Sequence, residues 1–294
     1  MSAVRSDAMM RTAAEQVFEV LDRVAAERGL RALGPWLLGP APPSARDLAG
    51  AATGTSQLAL FGASMTTHQS LCQSHGTPSA VVGVSFGEIA ALTAAGVFTL
   101  CDGARIAHDL ARVLASCSGG LTHLSCSERA ARDLIDRAGT PGTVLAVVND
   151  DRSVVVAGSV PELVRVEKVA AETEVTAVRL RLPFTAHHPA LLAESEVFAE
   201  AVRAYDRAES RFPVYSAVAG RAYAVGDDLP RRLADCLVRP AMVPTVLHQM
   251  TRHEPDVVFE AGTGRALATS ARRVLSRFPT LAVRAPLAEP GSFP

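Results

Sequence analysis

A serine set on a glycine-flanked turn between an apolar run and an alanine-rich helix constrains this chain more than any other segment. Residues 79–96 read Ser-Ala-Val-Val-Gly-Val-Ser-Phe-Gly-Glu-Ile-Ala-Ala-Leu-Thr-Ala-Ala-Gly. Residues 80–82 have the pattern of a buried strand, 88–95 that of a helix, and Gly96 that of its stop. Gly83 and Gly87 lack Cβ atoms, so the turn between them can bend sharply and pack closely, leaving the Ser85 hydroxyl exposed at its apex. Because the helix starts at the serine, the Phe86 N–H and the positive end of the helix dipole point to where an acyl oxyanion would form. The pentapeptide by itself is common enough to arise by chance. The flanking strand and helix make Ser85 the leading candidate nucleophile.

The rest of the chain alternates helices and strands. Residues 7–28 carry Ala14, Val17, Leu21, Val24 and Ala25 at helical spacing, residues 57–74 read as a second helix, and residues 102–116 as a third. From residue 119 the texture changes. Strand patterns at 121–126, 143–149, 153–158 and 175–182 enclose helical patterns at 127–138 and 160–173, the β-α-β-β-α-β order of a ferredoxin-like unit. Further strand patterns follow at 212–219, 256–260 and 280–284. The expectation is an α/β fold. A large α/β-hydrolase-like domain with a parallel sheet (1–118 and 185–294) carries an inserted ferredoxin-like small domain (119–184).

Composition narrows the function classes. With 294 residues, 48% of them hydrophobic, the chain can bury a substantial core. The formal net charge of −1 gives no nucleic-acid or anionic-membrane footprint. Five cysteines without a Cys-x-x-Cys pair suggest neither a disulfide framework nor a zinc site. No metal is expected. There is no apolar signal core at the N-terminus and no stretch of membrane-spanning length, so a cytoplasmic protein, most simply a monomer, is expected.

A serine needs a positioned base. Eight histidines are available, and His187 and His188 lie where the chain leaves the small unit, in Leu-Pro-Phe-Thr-Ala-His-His-Pro. A cleft at such a junction is a natural ligand site. An ordinary α/β-hydrolase using Ser85 with Asp235 and His248 or His253 is a competing arrangement.

Four segments resemble the malonyl-CoA:acyl-carrier-protein transacylases and the acyltransferase domains of polyketide synthases. Residues 78–96 are similar to the family's Gly-His-Ser-x-Gly-Glu elbow, and 183–189 to its His-Ser-Pro segment. Residues 212–220, Phe-Pro-Val-Tyr-Ser-Ala-Val-Ala-Gly, resemble its Pro-Val-x-Ser strand, and 259–264, Phe-Glu-Ala-Gly-Thr-Gly, its Glu-x-Gly-Pro turn. The resemblance implies a Ser85–His187 dyad working through an acyl-serine in a ping-pong cycle. It also implies a backbone carbonyl at Met242 orienting the histidine. The substrate would be acyl-CoA or a phosphopantetheine-linked acyl group, the partner an acyl carrier protein, and no cofactor would be bound. Arg231, Arg232, Arg272, Arg273 and Arg277 are candidates to meet an acidic carrier.

The chain departs from the family at three places. In register with the elbow, Leu110 stands where malonyl-type enzymes carry an arginine that grips the free carboxylate of the substrate, and Arg112 faces another side of that helix. Ala186 is small where the family has a bulky aromatic. With Phe184 and Leu110 it describes an apolar acyl pocket that rejects dicarboxylic groups. The family's Gly-Gln-Gly-Ser-Gln turn, which supplies a second oxyanion N–H, has no counterpart before the first helix, and Val84 replaces the histidine before the nucleophile. The expected function is a discrete acyltransferase moving a non-carboxylated acyl group to a carrier-protein thiol in polyketide-type biosynthesis. Alternatives are an O-acyltransferase acting on a small-molecule hydroxyl, an editing acyl-carrier-protein hydrolase, a malonyl transferase, and a non-catalytic carrier-binding module.

Overall fold

The computed structural model describes residue 4 and residues 7–289, so the extreme ends of the expected large domain lie outside the described residues. Helix α1 (Ala8–Glu27) is capped by Asp7, which accepts from the Met10 N–H at 2.8 Å. A cap of this kind is worth about 1 kcal/mol. All five residues noted at helical spacing are buried on its inner face. Short helices α2 (Gly34–Leu38) and α3 (Ala45–Ala49) lead to α4 (Thr55–His75), which packs against α1. Then come β1 (Val81–Gly83), α5 (Gly87–Ala94) and α6 (Leu100–Leu114), the last capped by Thr99 through the Asp102 N–H at 3.0 Å.

The middle of the chain forms β2 (Gly120–Leu124), α7 (Glu128–Ala138), β3 (Val144–Asp150), β4 (Ser153–Gly158), α8 (Val160–Glu172) and β5 (Ala177–Arg179). The remainder supplies α9 (Leu192–Arg203), β6 (Val214–Ser216), β7 (Arg221–Ala222), α10 (Leu229–Ala234), β8 (Ala241–Met242), α11 (Val243–Met250), β9 (Val257–Phe259), α12 (Ala266–Val274) and β10 (Ala282–Arg284). The fold is α/β with mixed sheets.

Three sheets organise the described residues. In the first, β1 runs parallel to β6, with Gly83 beside Ser216, and β7 closes antiparallel on β6. In the second, β9 and β10 are parallel. The third has the order β5-β2-β4-β3-β8, with antiparallel neighbours except for the parallel pair of β3 with β8. Thus β8, from the C-terminal part of the chain, extends the sheet of the middle segment.

Strand β6 is shorter than the 212–219 pattern suggests because Ser216 Oγ accepts from the Ala219 N–H at 2.9 Å and turns the chain toward Gly220, at φ +68°. Side-chain capture of a backbone N–H competes with the ladder. The largest core lies among α1, α4, α5, α6, α9 and α10, with Phe61, Leu92, Ile106 and Phe198 fully buried. A separate core of Leu124, Leu134, Val154, Val156, Leu163 and Val166 fills the space between the middle sheet and α7 and α8. A third, with Tyr215, Val246 and Leu275, joins β6 to α11 and α12.

Candidate functional site

Strand β1 delivers Ser85 at the head of α5. A Cβ on Gly83 would lie 2.6 Å from Glu88 Cα, so only glycine lets the helix fold back this closely on its strand. A Cβ on Gly87 would meet nothing within 4 Å, so packing makes no such demand there. Ser85 itself sits at φ +54°, the left-handed region that costs a side-chain-bearing residue roughly 1–3 kcal/mol. Backbone bonds of 2.9 Å from Gly87 N–H to the Val84 carbonyl and from Glu88 N–H to the Ser85 carbonyl hold the turn. Neither uses the Phe86 N–H. Val84, partly buried, packs against the core that holds Tyr215 of β6.

His187 enters from the loop after β5, also with positive φ, at +56°. The loop is fixed on both sides, by Thr185 N–H to the Cys117 carbonyl at 3.0 Å and His188 N–H to the Leu237 carbonyl at 2.8 Å. The imidazole is 3% exposed, with Nε2 2.7 Å from Ser85 Oγ and Nδ1 2.7 Å from the Arg239 carbonyl. A carbonyl can only accept, so Nδ1 carries the proton. Nε2 therefore presents its lone pair to the serine hydroxyl. Burial lowers the pKa of His187 from the ordinary 6.5, opposed by the Arg239 bond, so the ring is neutral at physiological pH.

The orienting carbonyl differs from the one expected. Met242 is committed to the β8 ladder, beside Val148, and its N–H donates to the Ala217 carbonyl at 2.8 Å. Arg239, held out of helical geometry by the following Pro240, turns its carbonyl to His187 instead.

His188 is excluded as the base. Its Nε2–H donates to the Gly142 carbonyl at 2.8 Å and its Nδ1 accepts from the Ala190 N–H at 3.2 Å. Both nitrogens are therefore spent on backbone. We expect His188→Ala to lower kcat by no more than about tenfold, the worth of roughly one hydrogen bond, against far larger losses at His187; steady-state kinetics of the two variants checks this. The hydrolase-type alternatives are not assembled either. His253 Nε2 meets the Tyr215 hydroxyl at 2.9 Å, His248 is exposed on α11, and Asp235 pairs with Arg232 and Arg239.

Leu110 and Ala186 belong to the largest core, 2% and 8% exposed, and the partly buried Phe184 packs against it. Arg112 lies on the solvent side of α6. Four of the five candidate docking arginines have partners within the chain: Arg231 with Glu196, Arg232 with Asp227 and Asp235, Arg272 with Glu289, and Arg273 with Asp150. Sequence reasoning missed a buried polar cluster behind the nucleophile, where the Tyr223 hydroxyl donates to Glu88 Oε2. The available signal was a lone carboxylate on a helix otherwise apolar on all sides.

Comparison with known proteins places this geometry. Residues 6–275 match the acyl transferase domain family. The chain is similar to the spectinabilin polyketide synthase system protein NorA' of Streptomyces orinoci, 36% identical over 161 residues that make up 53% of this chain and 4% of that protein. It is also similar to the mycoketide-CoA synthase of Mycobacterium tuberculosis, 33% identical over 49% of this chain and 4% of that protein. The chain thus spans a small fraction of the length of these relatives. Among solved structures, the acyltransferase domain of an iterative polyketide synthase of enediyne biosynthesis is 27% identical with a TM-score of 0.69, over 81% of this chain and 62% of that one. The malonyl-CoA:acyl carrier protein transacylase of Xanthomonas oryzae shares the fold, with a TM-score of 0.80 at 22% identity over 95% of this chain and 88% of that one. With the match spanning all but the ends of the described residues, this chain belongs to the acyl transferase domain family.

Proposed function

We propose that Ser85 and His187 form the dyad of a ping-pong acyltransferase. It would take a non-carboxylated acyl group from CoA or an acyl carrier protein and pass it through an acyl-serine to a carrier-protein thiol in polyketide-type biosynthesis. The 2.7 Å approach of His187 Nε2 to Ser85 Oγ, in the tautomer fixed by the Arg239 carbonyl, carries this reading.

In the first half-reaction Ser85 Oγ attacks the thioester carbonyl as its proton passes to Nε2, and the oxyanion forms at the Phe86 N–H. Collapse expels the CoA thiolate, which takes the proton back from Nε2. The acceptor thiol then repeats these steps in reverse order on the acyl-serine. The imidazolium formed in each half keeps its Nδ1–H on the Arg239 carbonyl, whose partial negative charge stabilises it.

Leu110 supports the restriction to acyl groups without a free carboxylate, since it is buried at the position of the family's carboxylate-binding arginine while Arg112 is turned to solvent. For the architecture, we read residues 119–184 as a ferredoxin-like small domain inserted into a large α/β-hydrolase-like domain. The strand order β5-β2-β4-β3 and the separate core under α7 and α8 support this. Among the described residues no helix is long and apolar enough to cross a membrane. Arg277, for which no ion pair is found among the described residues, is the remaining candidate from the docking set.

Intact mass measurement after incubation with acetyl-, butyryl-, hexanoyl-, malonyl- and methylmalonyl-CoA tests the function. The wild type is expected to gain a monocarboxylic acyl mass that Ser85→Ala does not. Absence of any adduct on the wild type, or an equal adduct on the variant, removes Ser85 as nucleophile. The neutral form of His187 is the competent base and its pKa is lowered, so the acid limb of kcat/KM should lie below pH 6.5. A pH–rate profile with an acid limb above 6.5 would contradict this.

A further inference from the structure

Helix α5 carries one carboxylate, and it is buried. Glu88 sits in the first turn, three residues past the nucleophile, with no exposed surface. Its Oε2 accepts from the hydroxyl of Tyr223, 135 residues away, just beyond β7. Ser216 of β6 and the backbone of Val218 favour the charged form only weakly against burial, and Oε1 has no hydrogen-bond partner among the described residues. Among the described residues no cation pairs with the group. Its ionisable neighbours are Tyr223, Asp235 and Cys236, all acids, and the nearby Arg232 and Arg239 reach Asp235 instead.

A carboxylate so placed would be costly in two ways. It would be a buried charge without a counter-ion. It would also stand two residues along the chain from Phe86, opposing the negative charge that would develop at the Phe86 N–H. A neutral acid avoids both costs and keeps its hydrogen bonds.

We propose that Glu88 is a positioning residue that works as a neutral carboxylic acid. Held by Tyr223, whose own N–H donates to the Val214 carbonyl of β6 at 2.9 Å, it ties the first turn of α5 to β6 and fixes the Phe86 N–H without placing a negative charge beside the oxyanion. The close stacking of Glu88 Cα on Gly83, itself in register with Ser216, makes the clamp act directly on the nucleophile turn. Burial pushes the Glu88 carboxyl up to about 7, with the Tyr223 hydrogen bond pulling the other way. The clamp therefore loses its proton just above neutrality, and the burial of Tyr223, whose own pKa is raised well above 10.0, leaves it a donor throughout that range.

This inference rests on Ser85 being the acylated nucleophile, and the experiment separates the two. The rate of Ser85 acylation by hexanoyl-CoA is followed by quenched-flow intact mass between about pH 6 and pH 9. In the wild type the rate is expected to fall by about tenfold to a hundredfold as Glu88 ionises. Glu88→Gln, which is neutral at every pH, should stay within about tenfold of the wild type at the acid end and show no alkaline fall. Tyr223→Phe removes a donor that favours the carboxylate, so its alkaline fall should move to higher pH. Glu88→Leu should lower kcat at every pH with the KM for hexanoyl-CoA unchanged, a split that Glu88→Gln rescues. An alkaline fall in Glu88→Gln identical to that of the wild type overturns the inference. So does a folded Glu88→Gln, judged by circular dichroism and melting, that is inactive throughout. A wild type that takes up no acyl group on Ser85 overturns both readings together.

Discussion

Ser85→Ala should abolish acyl transfer, and His187→Ala should come close to doing so, each lowering kcat by roughly four to six orders of magnitude. The two side chains share one proton across 2.7 Å and neither has a substitute within reach. Their losses should therefore not add, and the double variant should be no slower than Ser85→Ala alone. Single-turnover acylation by hexanoyl-CoA, read by intact mass, checks this. Retention of more than a few per cent of the wild-type rate in His187→Ala would mean that another base serves Ser85. An additive loss in the double variant would mean that the pair does not act as a unit.

The second large effect concerns Leu110. On the proposed reading of Leu110 as standing in the place of a carboxylate clamp, the wild type should favour hexanoyl-CoA over malonyl-CoA and methylmalonyl-CoA by about a hundredfold to a thousandfold in kcat/KM. That ratio follows from the roughly 3–5 kcal/mol cost of an unpaired buried carboxylate. Leu110→Arg should narrow the ratio by offering a bidentate donor, and should impair longer acyl chains by filling their path. Competition between mixed acyl-CoAs for a single pool of enzyme measures the ratio directly. Rapid malonyl loading by the wild type would place this chain with the dicarboxylate-handling members, with an arginine other than the one at the usual position gripping the substrate.

The turn that presents Ser85 was legible in the sequence because everything that builds it is local. The strand, the turn and the helix start lie within 79–96, and the glycine at position 83 is required by a contact only five residues away. The β-α-β-β-α-β order of the middle segment was legible for the same reason, since alternation and helical spacing report on neighbours along the chain. What failed was non-local or blind to residue type. Every residue has a carbonyl, so nothing in the side chains of residues 239–242 distinguishes Arg239 from Met242 as the acceptor for His187. The choice is made by where Pro240 and the pairing of β8 with β3 send the backbone. The Glu88–Tyr223 contact spans 135 residues and depends on β7 folding back on β6, which no pattern near Glu88 encodes. The mutual pairing of the surface arginines was equally invisible, because a run of basic residues does not show which acids will meet it.

The pairing of β8 with β3 has a practical consequence for recombination between relatives. The strand that extends the middle sheet begins two residues after the carbonyl that orients His187, and the same histidine loop is pinned to that segment through His188 and Gly142. Exchanging residues 119–184 alone would install a foreign sheet edge against a native β8, and any mismatch in register would pass straight to the tautomer and aim of the His187 imidazole. A transplant that carries residues 239–242 and the donor's residue after the histidine along with the insert keeps these joints matched. Crossover points for hybrid enzymes are therefore better set by this hydrogen-bonded seam than by the apparent limits of the inserted segment.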